Sequence, residues 1–426
     1  MRHEIPVKPL EDEIGPSANG MVKAIEACVH CGLCLPTCPT YQVQGEEMDS
    51  PRGRIFLMKS VLEGELSVPE VTPYIDRCLG CLACMTVCPS GVNYEGLLVP
   101  FRSMAEKKRV RPLAERAQRL AINQTLPHPG AFRLAAFAGR LAKPINRLLP
   151  DEISVLLKFL PPSLPKNRPL PEHVPAVGPR RARVALLSGC VQQVLSPELG
   201  WAALRVLAIN GVEVVVPSQQ GCCGSLLMHS GDLDGARKMA AHNLAVFPTD
   251  VDAIITTAAG CGSGIKTYDM LFEGRPEEDS AVAYAHKTQD ISAFLDSLGL
   301  RPPPPLPQPL KLAYHDACHL AHAQGVRQPP RRMLEAIPNL TLFEIAEGDL
   351  CCGSAGTYNM TQPEIAASLG QRKVAHILET GAEAVAAGNI GCIMQIRTHM
   401  QQAAKPIPIY HSIEVLDLAY RQDMPE

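Results

Sequence analysis

Cys28-Val-His-Cys31-Gly-Leu-Cys34-Leu-Pro-Thr-Cys38-Pro39 is the first of two stretches that share one cysteine spacing. The second is Cys78-Leu-Gly-Cys81-Leu-Ala-Cys84-Met-Thr-Val-Cys88-Pro89. In each stretch three cysteines lie three residues apart, and a fourth follows directly before a proline. Closely spaced thiolates are typical ligands of iron and zinc. The repeat therefore predicts two metal centres built from eight cysteines.

This spacing is that of bacterial two-cluster ferredoxins. There, three cysteines of one stretch bind one [4Fe-4S] cluster, and the fourth cysteine ligates the other cluster. The chain is therefore predicted to hold two [4Fe-4S] clusters with exchanged fourth ligands. One set is Cys28, Cys31, Cys34 and Cys88, and the other is Cys78, Cys81, Cys84 and Cys38.

Disulfide bonds and structural zinc are the alternatives for these cysteines. Residues Met1 to Gly20 lack the basic start and apolar core of a signal peptide, so we expect an intracellular, cytoplasmic protein in which disulfides are rare. Zinc sites usually show two CxxC pairs and stop at four ligands. A doubled run of three cysteines followed by Cys-Pro therefore favours clusters, and zinc remains the alternative.

Length and charge limit the function classes. The 426 residues, of which 46% are hydrophobic, predict a protein of two or three domains. A formal net charge of −3 gives no electrostatic support for nucleic-acid binding. No stretch reaches the eighteen or so apolar residues of a membrane span, so we expect any membrane contact to be peripheral.

The residues between the two cysteine stretches predict a helix. Ser50 is a capping residue and Pro51 suits the first helical turn, so a helix is expected to run on through Lys59. Its arginines, Arg52 and Arg54, either lie against the negatively charged clusters or form a solvated helix face, and the second interpretation is favoured. We assign residues 1–100 to a helical two-cluster ferredoxin-like domain.

Residues 101–180 form a basic, proline-rich connector. Its basic stretch runs from Arg102 to Arg119, and apolar residues interleaved with arginine and lysine follow from Ala131 to Leu160. A basic amphipathic helix can lie on a membrane surface, on a partner or on the protein's own core. Seven prolines between Pro161 and Pro179 then indicate an extended linker.

The remaining chain is an internal duplication. Val184-Ala-Leu-Leu-Ser-Gly-Cys190 corresponds to Leu312-Ala-Tyr-His-Asp-Ala-Cys318, and each is followed by Cys-Cys-Gly and then by Gly-Cys. Equivalent cysteines are offset by 128, 129, 129 and 131 residues, which indicates a repeated structural unit. We assign residues 181–300 and 310–426 to the two units, with the proline run Pro302 to Pro309 as a hinge.

Each unit alternates short apolar strands with helical stretches, which predicts a parallel sheet with helices on both faces. Ligands of such sheets bind at the carboxyl ends of the strands, and the cysteines of both units are expected on loops at that edge. The predicted metal ligands are Cys190, Cys222, Cys223 and Cys261 in the first unit, and Cys318, Cys351, Cys352 and Cys392 in the second. Another [4Fe-4S] cluster, zinc and buried free thiols are the three possibilities for these sites.

The duplicated region resembles the cysteine-rich CCG domain family, found in heterodisulfide reductase and in iron-sulfur subunits of respiratory dehydrogenases. Both units depart from the family pattern, because Gly264 and Gln395 occupy the positions of its last cysteine. This departure speaks against a five-cysteine noncubane cluster and against thiol-disulfide chemistry. His315, His319 and His322 flank Cys318 and are proton carriers, quinone contacts or structural residues.

Over nearly its whole length the chain resembles the iron-sulfur subunits of bacterial glycolate oxidase. The resemblance is carried by the two cysteine stretches and by three further segments, Ser50-Pro-Arg-Gly-Arg-Ile55, His315-Asp-Ala-Cys-His-Leu320 and Cys351-Cys-Gly-Ser-Ala-Gly-Thr-Tyr358. It implies an oxidoreductase subunit of a membrane-associated complex. FAD-containing partners would oxidise glycolate to glyoxylate, and this chain would pass the electrons toward quinone.

Equivalent subunits of lactate or anaerobic glycerol-3-phosphate dehydrogenases, or a heterodisulfide-reductase-like thiol enzyme, are the alternative functions. The sequence has no Gly-x-Gly-x-x-Gly motif after a strand, and no catalytic residue is predicted on this chain.

Overall fold

The computed structural model describes residue 5 and residues 7–144, 157, 160, 161 and 163–424. Part of the connector, including nearly half of the apolar stretch from Ala131 to Leu160, lies outside the described residues. Among those described, no helix combines the length and the apolar character that crossing a bilayer requires.

Residues 7–144 form helices only. The ferredoxin-like part comprises α1 (Val7–Ile14), α2 (Ser17–Glu26), α3 (Pro39–Gln44), a 3₁₀ turn (Glu47–Asp49), α4 (Pro51–Leu62), α5 (Val68–Asp76), α6 (Ala83–Thr86) and α7 (Tyr94–Lys108). The connector adds α8 (Leu113–Thr125) and α9 (Pro129–Ala142). The predicted helix after Ser50 is confirmed as α4, and the Ser50 hydroxyl accepts a hydrogen bond from the Gly53 amide at 3.0 Å. A core of buried residues from α2, α4, α5 and α7 holds this region together.

The first unit is a five-stranded sheet. Its strands are β1 (His173–Val174), β2 (Ala182–Leu186), β3 (Val212–Val215), β4 (Ala253–Thr256) and β5 (Thr288–Asp290), in the order β1-β3-β2-β4-β5. All pairs are parallel except β1 with β3. The helices are α10 (Gln192–Leu195), α11 (Pro197–Ile209), α12 (Ser225–His229), α13 (Leu233–Val246), α14 (Ala259–Lys266), α15 (Tyr268–Phe272), α16 (Glu278–Lys287) and α17 (Ile291–Leu298).

The second unit repeats this arrangement. Its strands β6 (Leu310–His315), β7 (Leu340–Glu344), β8 (Ala384–Ala387) and β9 (Ile409–His411) are all parallel, in the order β7-β6-β8-β9. That order matches β3-β2-β4-β5 of the first unit. A π-helix (His319–Ala323) is followed by α18 (Gln328–Glu335), α19 (Tyr358–Thr361), α20 (Pro363–Glu379), α21 (Ile390–Met400) and α22 (Ser412–Arg421).

The predicted fold class is confirmed, since a helical region precedes two parallel-sheet units. Strands β4 and β8 are apolar and buried at every residue, as central parallel strands require. A single hydrophobic cluster contains strand residues of both units, among them Val184 and Leu312.

The proline run between the units is not a free hinge. Leu306 within it is buried, and its amide donates to the carbonyl oxygen of Pro338 at 3.0 Å. The Asn339 side chain donates back to the Leu306 carbonyl at 2.9 Å, so this segment is packed onto the second unit.

Candidate metal centres

Both ferredoxin-like cysteine loops fold in the same way. The second residue after the first cysteine has a positive φ in each loop, 54° at His30 and 63° at Gly80, and so does the fourth, 83° at Gly32 and 61° at Leu82. Left-handed residues at these two places curl the backbone, and two of the four are not glycine, which makes the conformation costly. The repeated curl brings the sulfur atoms of each loop toward a common point.

The first group of cysteines surrounds one cavity. Cys28, Cys31 and Cys34 line it together with Cys84 and Cys88 from the other stretch. The Arg52 guanidinium closes one side and donates to the His30 carbonyl at 3.2 Å. Burial raises the pKa of the Cys34 thiol to about 11, so a positively charged metal is needed to hold it as thiolate.

The second group lies deeper. Cys38, Cys78 and Cys81 are buried, and Cys84 is half-buried. Burial opposes ionisation of Cys78, but the guanidinium groups of Arg54 and Arg102 and the Gly80 amide outweigh it and lower the pKa of this thiol. Four thiol donors next to one buried and one half-buried guanidinium group suit an anionic iron-sulfur cluster.

Arg54 is the residue that organises this group, and the favoured interpretation of a solvated helix face is wrong for it. Its side chain is 1% exposed, and it pairs with Asp49 at 3.1 Å. The Nη1 atom donates to the Thr40 hydroxyl at 2.9 Å and lies 3.9 Å from the Cys38 sulfur. A hydrogen bond of 3.2 Å also joins the Thr40 hydroxyl group to the Cys38 sulfur.

In the first CCG unit the cysteines gather at the carboxyl ends of three strands. Cys190 follows β2, and Cys222 and Cys223 follow β3, with 3.4 Å between the Cys190 and Cys222 sulfurs. The thiols of Cys222 and Cys261 act as donors to Cys223 and lower its pKa, and the Ser225 hydroxyl adds to this. The Cys223 carbonyl accepts from the Tyr268 hydroxyl at 2.6 Å.

The second unit forms the corresponding group. The sulfurs of Cys318 and Cys351 lie 3.8 Å apart. The thiols of Cys351 and Cys392 lower the pKa of Cys352, as do the equivalent thiols in the first unit, and His315 lowers it further. The predicted cysteines of each unit therefore come together at one sheet edge.

The glycine of each Cys-Cys-Gly segment is required by its surroundings. Gly224 and Gly353 have φ values of 80° and 89°, and a Cβ atom on them would lie 2.8 and 2.7 Å from the carbonyl oxygens of Ala236 and Ala366. No other residue fits these positions without moving the neighbouring helix.

One expectation about the cysteine positions is wrong. Cys261 and Cys392 lie in the first turns of helices α14 and α21 and not on loops. Each of these helices begins within three residues of the end of the preceding strand. The cysteine therefore belongs to the first helical turn and still lies close to the strand ends.

The last cysteine of the family pattern has no room in the first unit. A Cβ atom on Gly264 would lie 2.0 Å from the Ser225 hydroxyl oxygen, which occupies that space. In the second unit Gln395 is fully buried, accepts from Asn359 at 3.1 Å and donates to the Ala366 carbonyl at 2.9 Å. Both positions have therefore become part of the packing.

The three cysteine-bearing modules are in contact. Cys81 and Cys318 belong to the same buried cluster, and the Tyr358 hydroxyl donates to the Arg77 carbonyl at 2.8 Å. His319 donates to the Gly80 carbonyl at 3.0 Å, and His322 lies 2.9 Å from the Thr86 hydroxyl. These two histidines thus bind the second unit to the ferredoxin-like domain.

Arg102, which the sequence shows only as one of several basic residues of the connector, links the ferredoxin-like domain to the first unit. Its guanidinium donates to the carbonyl oxygens of Cys78 and His229, which lie in the ferredoxin-like domain and in the first unit. The two units also touch beside their cysteines, because the Ala259 amide donates to the Gly388 carbonyl at 3.2 Å.

Comparison with known families covers all three modules. Residues 24–92 match the family described as 4Fe-4S dicluster domain. Residues 184–266 and 312–397 each match the family described as Cysteine-rich domain, abbreviated CCG. The two-cluster cofactor content of the ferredoxin-like domain and the duplication are thereby confirmed.

Similar proteins extend the match along the chain. A protein of Oceanobacillus iheyensis, Lactate utilization protein A, is 30% identical over 55% of this chain and 96% of its own length. A crystal structure of a hypothetical protein from Helicobacter pylori superposes with a TM-score of 0.54 at 11% identity, over 98% of this chain and 75% of that one, and shares the fold.

Two relatives match almost end to end. The Probable glycolate oxidase iron-sulfur subunit of Bacillus subtilis is 35% identical over 88% of this chain and 89% of its own length. The Glycolate oxidase iron-sulfur subunit of Escherichia coli is 36% identical over 94% of this chain and 95% of its own length. With both CCG units and the dicluster domain included in those matches, the chain belongs to the family of glycolate oxidase iron-sulfur subunits.

Proposed function

We propose that this chain carries electrons from FAD-containing partner subunits, which oxidise glycolate to glyoxylate, toward quinone. The contact of Cys81 with the region around Cys318 is the observation that supports it most, because it brings a ferredoxin-like cysteine group next to a CCG cysteine group. A chain of adjacent redox sites is what an electron carrier needs.

We assign Cys28, Cys31, Cys34 and Cys88 to one cubane, and Cys38, Cys78, Cys81 and Cys84 to the other. The shared cavity of the first four supports this exchange of ligands. When bound, each cluster takes up and releases one electron at a time. Oxidation of glycolate yields two electrons and two protons, so the partner flavin would accept the pair and release it in single steps.

The chain's own residues set the conditions for this transfer. Arg54 and Arg102 offset the negative charge of the deeper cysteine group, and the buried thiols keep water away from it. The hydrogen bonds from His319 to Gly80 and from Tyr358 to Arg77 fix the spacing of the two cysteine groups.

Reconstitution with the flavoprotein subunits tests the proposal. We expect glycolate-dependent reduction of a dye only when this chain is present with its iron, while flavin reduction by glycolate needs the partner alone. Dye reduction with lactate or glycerol 3-phosphate but not with glycolate would contradict the assignment. Lactate is the second candidate, because the lactate utilization relative covers about half of this chain.

We also propose that the complex lies in the cytoplasm against the inner membrane through the connector. Helix α9 exposes Leu134, Phe137 and Leu141, and exposed Leu113 and Leu120 lie on α8. Basic residues such as Arg116 and Lys143 are exposed on the same helices, which suits an anionic lipid surface. Co-sedimentation with anionic vesicles tests this, and we expect the double variant Leu134→Ser, Leu141→Ser to sediment less than the wild type. Equal sedimentation of the wild type and the variant would contradict the proposal.

A further inference from the structure

The two CCG units differ at one position that faces their cysteines. Three residues before the first cysteine, the first unit has Leu187 and the second has His315. Both side chains are buried, with 3% and 0% of their surface exposed. The leucine packs in an apolar cluster with Cys222 and Cys223, whereas an imidazole at this place carries two polar nitrogen atoms.

Among the described residues, neither of those two nitrogen atoms makes a hydrogen bond of normal geometry. Both Nδ1 and Nε2 of His315 are buried, and the imidazole lies close enough to the Cys352 thiol to lower its pKa. A buried polar group left unsatisfied is destabilising, and neutral imidazole nitrogen is a good ligand for transition metals. The environment of His315 is therefore one that a bound metal would complete.

The distances approach those of a single metal ion. One ligand atom each from His315, Cys352 and Cys392 lies within 4.8 Å of the other two. In a tetrahedral site, metal–sulfur bonds of about 2.3 Å and metal–nitrogen bonds of about 2.0–2.1 Å place two donors about 3.5–3.8 Å apart. A small inward movement of side chains therefore closes the site.

We propose that His315 is a nitrogen ligand of the metal centre in the second unit, beside Cys352 and Cys392. Of Cys318 and Cys351, whose sulfurs lie 3.8 Å apart at the same sheet edge, one completes a four-ligand zinc site, and both bind if the centre is an iron-sulfur cluster. The imidazole thus takes over the ligand role that the missing last cysteine cannot fill. This inference is independent of the substrate of the partner subunits.

A mixed thiolate and imidazole set is bound by zinc and by the iron of iron-sulfur centres. Replacing one thiolate by neutral imidazole removes one negative charge from the centre. In iron-sulfur centres such replacement raises the reduction potential. An iron centre in the second unit would then have a higher potential than an all-cysteine centre in the first.

The experiment uses the whole chain, produced in one culture with ¹⁵N-histidine and in another with natural histidine. Both preparations are purified without oxygen. Iron and zinc per chain show which metal is present. Pulsed EPR of the reduced protein then detects a nitrogen bonded to iron, and zinc X-ray absorption detects a nitrogen bonded to zinc. The ferredoxin-like cysteine sets contain no histidine, so a bonded nitrogen is assigned to the CCG region.

Three variants make the test specific. His315→Leu copies the first unit and is expected to lose the nitrogen signal and to change the spectrum of the second unit's metal centre. His315→Cys is expected to retain the metal and lose the nitrogen signal. His411→Asn is the control, since His411 is equally buried in the same unit but bonded to the Thr257 carbonyl and the Ile413 amide.

A wild-type protein without any bonded nitrogen, or a His315→Leu protein with full metal content and an unchanged spectrum, would overturn the proposal. If His315→Leu does not fold, the wild-type spectrum and His315→Cys still decide. Failure of glycolate-dependent dye reduction would leave these spectra unaffected, so the two proposals fail separately.

Discussion

The Arg54 guanidinium and the Asp49 carboxylate form an ion pair at 3.1 Å in which both side chains are almost completely buried. Arg77 contacts the same carboxylate at 2.9 Å from a more exposed position. Two arginines on one buried aspartate beside Cys38 make this pair the electrostatic centre of the ferredoxin-like domain.

Arg54→Ala is expected to lower the free energy of unfolding by about 3–5 kcal/mol, because it leaves the Asp49 carboxylate buried with one partner. Arg52→Ala, on the same helix, is the control. The Arg52 pair with Glu47 is substantially exposed, so its loss should cost less than about 1 kcal/mol. Urea unfolding under anaerobic conditions, followed by circular dichroism, measures both. Equal losses would contradict the prediction.

Cys38→Ser and Cys31→Ser lie in one motif but are predicted to damage different clusters. Cys38→Ser should disturb the centre held by Cys78, Cys81 and Cys84, whereas Cys31→Ser should disturb the other. Cys88→Ser should behave like Cys31→Ser. EPR of the reduced proteins and iron analysis, with about four of eight irons affected in each variant, distinguish the clusters.

Flavin reduction by substrate in the partner subunits should stay intact in all three variants. The same lost EPR signal in Cys31→Ser and Cys38→Ser would exclude the exchange of ligands.

Gly264→Ala is expected to destabilise the first unit by about 1–3 kcal/mol, because the new methyl group overlaps Ser225. Ser225→Gly should restore most of that loss when combined with it. Gly260→Ala on the same helix has nothing within 4 Å of its new methyl group and should be neutral or slightly stabilising. A double-mutant cycle measured by urea unfolding reports the coupling, and additive effects would contradict the overlap.

Glu95 is predicted to make stability depend on pH. Burial and the negative charge of Asp269 raise the pKa of its carboxyl group to about 7, from an ordinary value of 4.5. The folded protein therefore holds this proton more tightly than the unfolded chain does. The resulting stabilisation is fully present below pH 4.5 and is lost as pH rises through 7.

Between pH 5 and pH 8 the loss should be on the order of 3 kcal/mol, and Glu95→Gln should remove this part of the pH dependence. Asp269→Asn should lower the pKa of Glu95 and move the transition to lower pH. Urea unfolding at several pH values checks both. Identical pH profiles of the wild type and Glu95→Gln would refute it.

The sequence was informative where chemistry depends on spacing along the chain. The motif spacing predicts which cysteines bind each cluster, and the constant offset correctly predicted two similar units. The capping residue Ser50 correctly located helix α4. These features follow from local geometry, which residue spacing records.

Features that depend on packing between distant segments could not be read in this way. Arg54 has the same charge and nearly the same place as Arg52, and only the fold buries Arg54 completely and leaves Arg52 partly exposed. The helical position of Cys261 depends on how soon α14 begins after β4. His315 was singled out with two neighbouring histidines, and its position beside Cys352 and Cys392 separates it from them, because His319 and His322 contact the ferredoxin-like domain instead.

The hydrophobic cluster shared by the two CCG units has a consequence for the expression of one unit without the other. Helices α11 and α22 pack against each other from opposite units, and Arg205 and Asp417 pair between them at 2.7 Å. Each unit therefore covers apolar surface of the other unit. A cut at the proline run would expose this shared apolar surface on both halves, so we expect the two fragments to aggregate when they are expressed separately.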